Sequence, residues 1–277
     1  MLIRRLTWCG IEIEAADGST AVIDLLEDVT PLAPFLGAPQ GSLADLPYAG
    51  RARVAAVTHL HRDHADAAAI ARALRPDGVL LRPPAMTGEL LEVAGTRAAE
   101  QELAAHELPT LVLDEGEAAR QGPFLLTALR AVDGSGDTQV TWLIEVDGYK
   151  VVHAGDTMWH GEWWRRAMAH GPIDVAFLPI NGAVGDFPHR QPASGLSGAM
   201  TPEQAVAAAA AMGARRIVPI HYGLFDHPPR YRAIAGAEER LLDAARERDV
   251  VVALPALGEQ LAIPTPSTET ETEKAPA

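Results

Sequence analysis

The chain has few of the features that would place it in several large protein classes. Cys9 is the only cysteine among 277 residues. That excludes an intrachain disulfide and a thiolate metal cage, and nothing calls for an oxidising compartment. No apolar run is long enough to span a bilayer, and Met1-Leu2-Ile3-Arg4-Arg5 leads into alternating sequence instead of the apolar core of a signal peptide. Lysine and arginine form no stripe that could track phosphates. With 23 basic and 37 acidic residues the net charge is −14 and the pI near 5.1, which makes nucleic acid and anionic membrane poor partners. The expectation is a cytoplasmic protein that takes a small-molecule substrate, does not insert into membranes, and leaves assembly into a homo-oligomer open.

What is present supports a substantial core. Hydrophobic residues make up 48% of the chain, and residues 1–263 read as one folded unit with no linker or repeat. Residues 264–277 change to Thr, Glu, Pro and Ser, too little apolar area to fix the backbone, and read as a disordered acidic tail. Short strands are expected at 2–8, 11–15 and 20–25, with turns at Gly10 and Asp17-Gly18. Residues 27–53 carry Pro31, Pro34, Pro39 and Pro47 and read as a long irregular loop. Its Leu32, Phe35, Leu36 and Leu46 either line a substrate entrance or cover the core. An α/β rhythm follows: strand 53–57, helix 65–74, strand 79–82, a helix opened by Pro84-Ala85-Met86-Thr87, helix 98–104 and strand 110–113. From 117 to 153 the period falls to two, with strands at 124–130, 139–146 and 150–153. Helix 161–170, strand 175–179 and a Gly/Pro-rich loop at 181–200 come next. Thr201-Pro202-Glu203-Gln204 opens a further helix, and strand 217–220, an amphipathic helix at 231–248 and strand 250–254 complete the reading.

The chemistry concentrates in Thr58-His59-Leu60-His61-Arg62-Asp63-His64-Ala65-Asp66, directly after the apolar run Val54-Ala55-Ala56-Val57. Imidazole and carboxylate together suit a borderline divalent ion such as zinc, manganese or iron. In an extended segment residues i and i+2 point the same way, so His59 and His61 can grip one ion. Asp63 and His64, where the chain turns into a helix, can face a second. Two more strand ends add donors. In His153-Ala154-Gly155-Asp156-Thr157 an acid after a glycine can approach an ion closely and bridge two. In Val218-Pro219-Ile220-His221-Tyr222-Gly223 an apolar strand ends on His221. A Gly-Asp-Thr turn or a strand-end histidine alone is more often structural; three strand ends together are far more specific.

On His59-Leu60-His61-Arg62-Asp63-His64 as an HxHxDH motif, Gly155-Asp156-Thr157 as the strand-end acid and Ile220-His221-Tyr222-Gly223 as the final histidine, the chain resembles the metallo-β-lactamase-fold metal-dependent hydrolases. Within them it looks most like the branch of ascorbate 6-phosphate lactonase-like and N-acyl phosphatidylethanolamine phospholipase D-like proteins. The resemblance runs over about residues 2–262. It implies an α/β fold (α+β in some schemes), a four-layer αββα sandwich with a dinuclear site at one edge. It also implies two divalent ions, zinc or manganese first and iron as an alternative. His59 and His61 would hold the first ion, Asp63, His64 and His221 the second, and Asp156 would lie between them. One position departs from the family pattern, which supplies a further histidine to the first ion from a strand end before the bridging acid. No histidine lies between His106 and His153, so Asp133 is the candidate there, with a plain turn residue before Gly134 as the alternative and His106 as the only nearby substitute. A carboxylate at that place adds negative charge and hardness, favouring manganese, iron or magnesium over an all-histidine zinc site.

The implied activity is hydrolysis of a small ester, lactone or phosphodiester by a metal-bound hydroxide. Asp63 would accept a hydrogen bond from that nucleophile, and the leaving group needs a proton donor, for which His189 is the first candidate, beside His160 and Tyr222. Trp159, Trp163 and Trp164 form either an apolar wall or ordinary helix core. Two other readings remain: a metal-dependent redox or sulfur-transfer protein of the same fold, and a catalytically weak metal-binding regulatory protein.

Overall fold

The computed structural model describes residues 1–41, 43, 49–90 and 92–263. Leu46 and the expected tail at 264–277 lie outside them. Strands β1 (Leu2–Arg5), β2 (Ile11–Glu14) and β3 (Thr20–Ile23) form an antiparallel meander. β4 (Ala52–Ala56), β5 (Leu74–Arg82) and β6 (Thr110–Val112) extend it in parallel. A second sheet contains β7 (Ala118–Gln121), β8 (Phe124–Arg130), β9 (Val140–Val146), β10 (Tyr149–His153), β11 (Val175–Pro179) and β13 (Ile217–Ile220), in the order β13-β11-β10-β9-β8-β7. A small ribbon pairs β12 (Val184–Gly185) with β14 (Tyr231–Arg232), and β15 (Gln260–Leu261) closes the first sheet against β1.

Alternation decides which side chains meet. Along 54–57, Val54 and Ala56 face the second sheet, where Leu126, Trp142, Ile144, Phe177 and Val218 meet them, whereas Ala55 and Val57 face outward. Outside the first sheet, α2 (Ala67–Ala73) and α3 (Arg97–Ala105) cover Val22, Val57 and Leu80 through Ile70, Ala73 and Leu103. Outside the second, α4 (Trp163–His170), α5 (Pro202–Met212) and α6 (Ala237–Glu247) cover Val152, Ala176 and Leu178 through Trp163, Val206, Met212 and Leu241. These layers make the αββα sandwich. Near the site the two sheets are stitched together: Trp142 Nε1 donates to the Val57 carbonyl at 3.0 Å, Val140 N to Thr58 O at 2.9 Å, and His59 bridges to Gln139.

Four local expectations change. Residues 27–53 contain a 3-10 turn (Thr30–Leu32) and a short helix α1 (Ala33–Leu36). Pro31 and Pro34 sit in their first turns, where the missing N–H costs nothing. Leu32 and Leu36 are buried in the core, while Phe35 is exposed. Residues 84–90 form no helix, since the Pro83-Pro84 pair disfavours one there. The expected helix at 231–248 starts only at Ala237, because Tyr231-Arg232 is spent on β14 and Gly236 turns left-handed at φ 67°. The expected strand at 250–254 reduces to one bridge between Val252 and Ile217.

Candidate metal centre

The carboxyl ends of five strands converge at one edge of the sandwich, where sheets of this kind expose their loops. β3 ends into Asp24, β4 into the 58–64 run, β8 into the 131–138 loop, β10 into Asp156 and β13 into His221. Two backbone features fix the geometry. Gly155 adopts φ +64°, and a Cβ there would lie 2.7 Å from both Thr58 Oγ1 and Gln139 Nε2, so only glycine lets the turn bring Asp156 in. A Cβ on Gly134 would lie 2.3 Å from Gly198 O, which packs the 131–138 loop onto the 181–200 loop.

Hydrogen-bond partners settle which ring nitrogens keep a lone pair. His64 Nδ1 lies 2.8 Å from Asp24 Oδ2. A carboxylate only accepts, so Nδ1 carries a hydrogen and Nε2 is the nitrogen left to face the centre. In the metal-free chain burial opposes a second proton there, but the Asp63 and Asp24 carboxylates hold the ring well above the usual histidine range, so a cation would take that proton's place. That Nε2 is buried with no partner. Thr58 Oγ1 donates to Asp24 Oδ2 at 2.7 Å, so it can only accept from His59 Nδ1, 3.1 Å away, and His59 Nε2 is freed. His61 Nε2 donates to Asp137 Oδ2 at 2.7 Å, leaving Nδ1 2.9 Å from His59 Nε2. Two lone pairs that close need a cation between them. In the metal-free chain a proton serves: burial opposes it, but Asp133 and Asp137 hold His61 up at about 9. Burial and the neighbouring imidazolium charges push His59 well below the usual histidine range.

The donors fall into two groups that share Asp156. Asp156 Oδ1 lies 3.6 Å from His59 Nε2, and Asp133 Oδ2 lies 3.9 Å from His61 Nδ1. On the other side, Asp63 Oδ2 lies 3.4 Å from His64 Nε2 and 3.5 Å from His221 Nε2, while Asp156 Oδ2 is 3.9 and 3.7 Å from the same two atoms. Ligands about 2.0–2.1 Å from a tetrahedral ion stand roughly 3.3 Å apart. The spacings match that scale, and His64 Nε2 and both ring nitrogens of His221 are buried without a partner. The donor set therefore fits divalent cations. Asp133 serves twice: Oδ1 accepts from Ser135 N at 2.5 Å, fixing the turn, while Oδ2 faces His61. Burial raises its pKa above the usual carboxylate range.

Other candidates separate clearly. His106 caps α3 at the exposed surface. His160 stacks on Trp163 at 4.2 Å, and burial, with Arg166, pushes it down to about 3. Tyr222 takes a hydrogen bond from Arg5 and lies under its guanidinium. His189 is exposed at the surface, its ring 5.8 Å from Phe187 and 6.4 Å from Phe35. Of the three tryptophans, only Trp163 is fully buried in the core; Trp159 and Trp164 meet edge to face.

Several residues went unread in the sequence. Asp24 and Asp137 orient three of the histidines. Trp8 donates to Asp63 Oδ2 at 3.0 Å, and its ring packs tilted against His221 with the centroids 4.0 Å apart. Cys9 is fully buried beside His64, and burial pushes its thiol up to about 12. Tyr231 accepts from Asn181 Nδ2 at 2.7 Å. Burial, reinforced by Asp63 and Asp156, keeps its phenol protonated well above the usual range. An acid closing β3 in Ile23-Asp24 was the one available signal for Asp24.

The family model described as Beta-lactamase superfamily domain matches residues 21–222, which run from β3 past the end of β13 and include every member of the two donor groups. The chain belongs to the beta-lactamase superfamily. A relative named metal-dependent hydrolase, from Methanoculleus marisnigri, is 30% identical over 263 residues, covering 94% of this chain and 96% of that one. Among solved structures, an isothiocyanate hydrolase from Delia radicum gut bacteria matches with a TM-score of 0.68 at 18% identity, covering 95% of this superfamily member and 99% of that chain. CmlA, a diiron beta-hydroxylase from Streptomyces venezuelae, gives a TM-score of 0.70 at 17% identity; the match covers 94% of this chain and 53% of CmlA. At these identities the two structures show a shared fold. No helix among the described residues is long and apolar enough to cross a membrane.

Proposed function

We propose that this chain, a metal-dependent hydrolase by family, works with two divalent ions on a small ester, lactone or phosphodiester. His59, His61 and Asp133 are assigned to the first ion, Asp63, His64 and His221 to the second, and Asp156 to both. The observation that carries the reading is the split of the Asp156 carboxylate: Oδ1 faces His59 and Oδ2 faces His64 and His221. When bound, the ions supply Lewis acidity and a nucleophile at neutral pH.

The protein's own groups do the rest. Asp24 and Asp137 keep the ring hydrogens of His64 and His61 turned away from the centre, so that lone pairs face inward. Asp63, held by Trp8 Nε1, accepts a hydrogen bond from the attacking water. Asn181 Nδ2 occupies an acceptor site of the Tyr231 hydroxyl, leaving its hydrogen free to be donated towards the leaving group. His189, at the rim with Phe35 and Phe187, is the other candidate proton donor; burial and Arg190 lower its pKa, so less of it carries a proton to give at neutral pH. The first ion's oxygen-rich donors favour manganese or iron over zinc. The test is a panel of lactones, carboxylic esters, phosphodiesters and phosphomonoesters, assayed with the chain loaded in turn with zinc, manganese and iron. One class turned over well above metal-only controls, and lost with His61→Ala, is expected. No turnover in any metal form would refute the hydrolytic assignment.

A further inference from the structure

We infer that Cys9 is a thiolate ligand of the ion gathered by His64 and His221, so that the two halves of the centre are chemically unequal. This rests on the two-ion reading above. The Cys9 sulfur, one ring nitrogen of His64 and one of His221 all lie within 4.8 Å of one another, and all three residues are buried. A separate observation, independent of the thiol, points to a cation there. His64 Nε2 and both ring nitrogens of His221 have no hydrogen-bond partner, although His64 is 0% and His221 4% exposed. An unpaired imidazole nitrogen in a dry interior is costly, and a cation can satisfy one on each of the two rings.

The backbone places the sulfur there deliberately. Trp8 adopts a left-handed φ of 59°, which is strained for a bulky side chain. The turn is then fastened on several sides. Leu6 N donates to Gly10 O at 2.7 Å, His153 Nε2 to Cys9 O at 2.7 Å, and His221 N to Trp8 O at 3.2 Å. Trp8 Nε1 also bonds Asp63, a member of the same donor group. The turn that carries Cys9 is thus tied, through the neighbouring Trp8, to two of the proposed ligands, His221 and Asp63.

The chemical consequence is a division of labour between the ions. The first group offers two imidazoles and two carboxylates and no sulfur, a hard set. The second adds a thiolate to its two imidazoles and the Asp63 and Asp156 carboxylates, which makes it the softer of the two and better suited to zinc. Binding there moves the thiol proton to solvent as the sulfur–metal bond forms, with no change of oxidation state.

The test loads the full chain with cobalt(II) and records the near-ultraviolet thiolate-to-cobalt charge-transfer band. Because Cys9 is the only cysteine, no other residue can produce it. The wild type is expected to show the band and Cys9→Ser to lack it, with affinity for the second ion lowered by about 10- to 100-fold. If Cys9→Ser fails to fold, the wild-type spectrum alone decides. Two cobalt ions bound without the band would overturn the inference and leave the two-ion reading standing. A folded wild type that binds no cobalt would overturn both.

Discussion

Asp24→Asn probes the centre without touching a proposed ligand. Asp24 is fully buried, and both carboxylate oxygens are committed: Oδ1 to Thr58 N at 2.7 Å, Oδ2 to Thr58 Oγ1 at 2.7 Å and His64 Nδ1 at 2.8 Å. Its φ of 51° is a conformation asparagine tolerates well, so the backbone should not move. The amide oxygen can keep the Thr58 N–H, but the amide nitrogen then faces Thr58 Oγ1 and His64 Nδ1 as a donor. The hydroxyl can rotate to accept. His64 can accept only by moving its hydrogen to Nε2, which points at Asp63 and Asp156 and would no longer offer a lone pair. Losing such an outer partner costs about 10- to 100-fold in metal affinity, or about 1.4–2.7 kcal/mol. The assay is competition against a chromophoric chelator, with the metal-free melting temperature measured alongside to separate folding from binding. Wild-type affinity for both ions in Asp24→Asn would refute the argument that Asp24 sets the His64 tautomer.

Three further outcomes are expected. Gly155→Ala forces a Cβ to within 2.7 Å of Thr58 Oγ1 at φ +64° and should cost about 1–3 kcal/mol in chemical denaturation; unchanged stability would contradict the close approach described. Tyr231→Phe should lower kcat by about 100-fold with metal content unchanged; an unaffected kcat, with a fall in His189→Ala instead, would move the proton donor to the rim. Thr201→Ala removes the side-chain oxygen that accepts from Gln204 N at the start of α5 and should cost about 1 kcal/mol, lowering Tm by about 2–4 °C; an equal Tm would mean that packing alone holds this helix.

The parts legible in the sequence are those whose signal is contiguous. His59, His61, Asp63 and His64 follow one buried strand, so residue type, spacing and context occur together. The sandwich came with the family resemblance that these motifs carry; 54–57 is apolar at every position, so its two faces could not be told apart in the sequence. Asp24, Asp137, Trp8 and Cys9 were not legible as site residues, since their roles arise only when strands distant in sequence meet at one edge. Nothing in Trp8-Cys9-Gly10 announces a left-handed tryptophan. Tyr231 was hidden differently: charge and apolar spacing continue from 231 into the true helix, and only pairing with Val184-Gly185 shows that the first residues are strand. The short helix at Ala33–Leu36 was masked by prolines that suit first turns as well as they break helices.

The most direct test of the two-ion claim is metal analysis of the purified chain after chelator stripping and reloading, with circular dichroism to verify the fold. The account predicts close to two ions per folded chain in the wild type, and His61→Ala should lose the first ion while keeping the one assigned to His64 and His221. A folded wild type that takes up no metal, or a stoichiometry unmoved by His61→Ala, would contradict it.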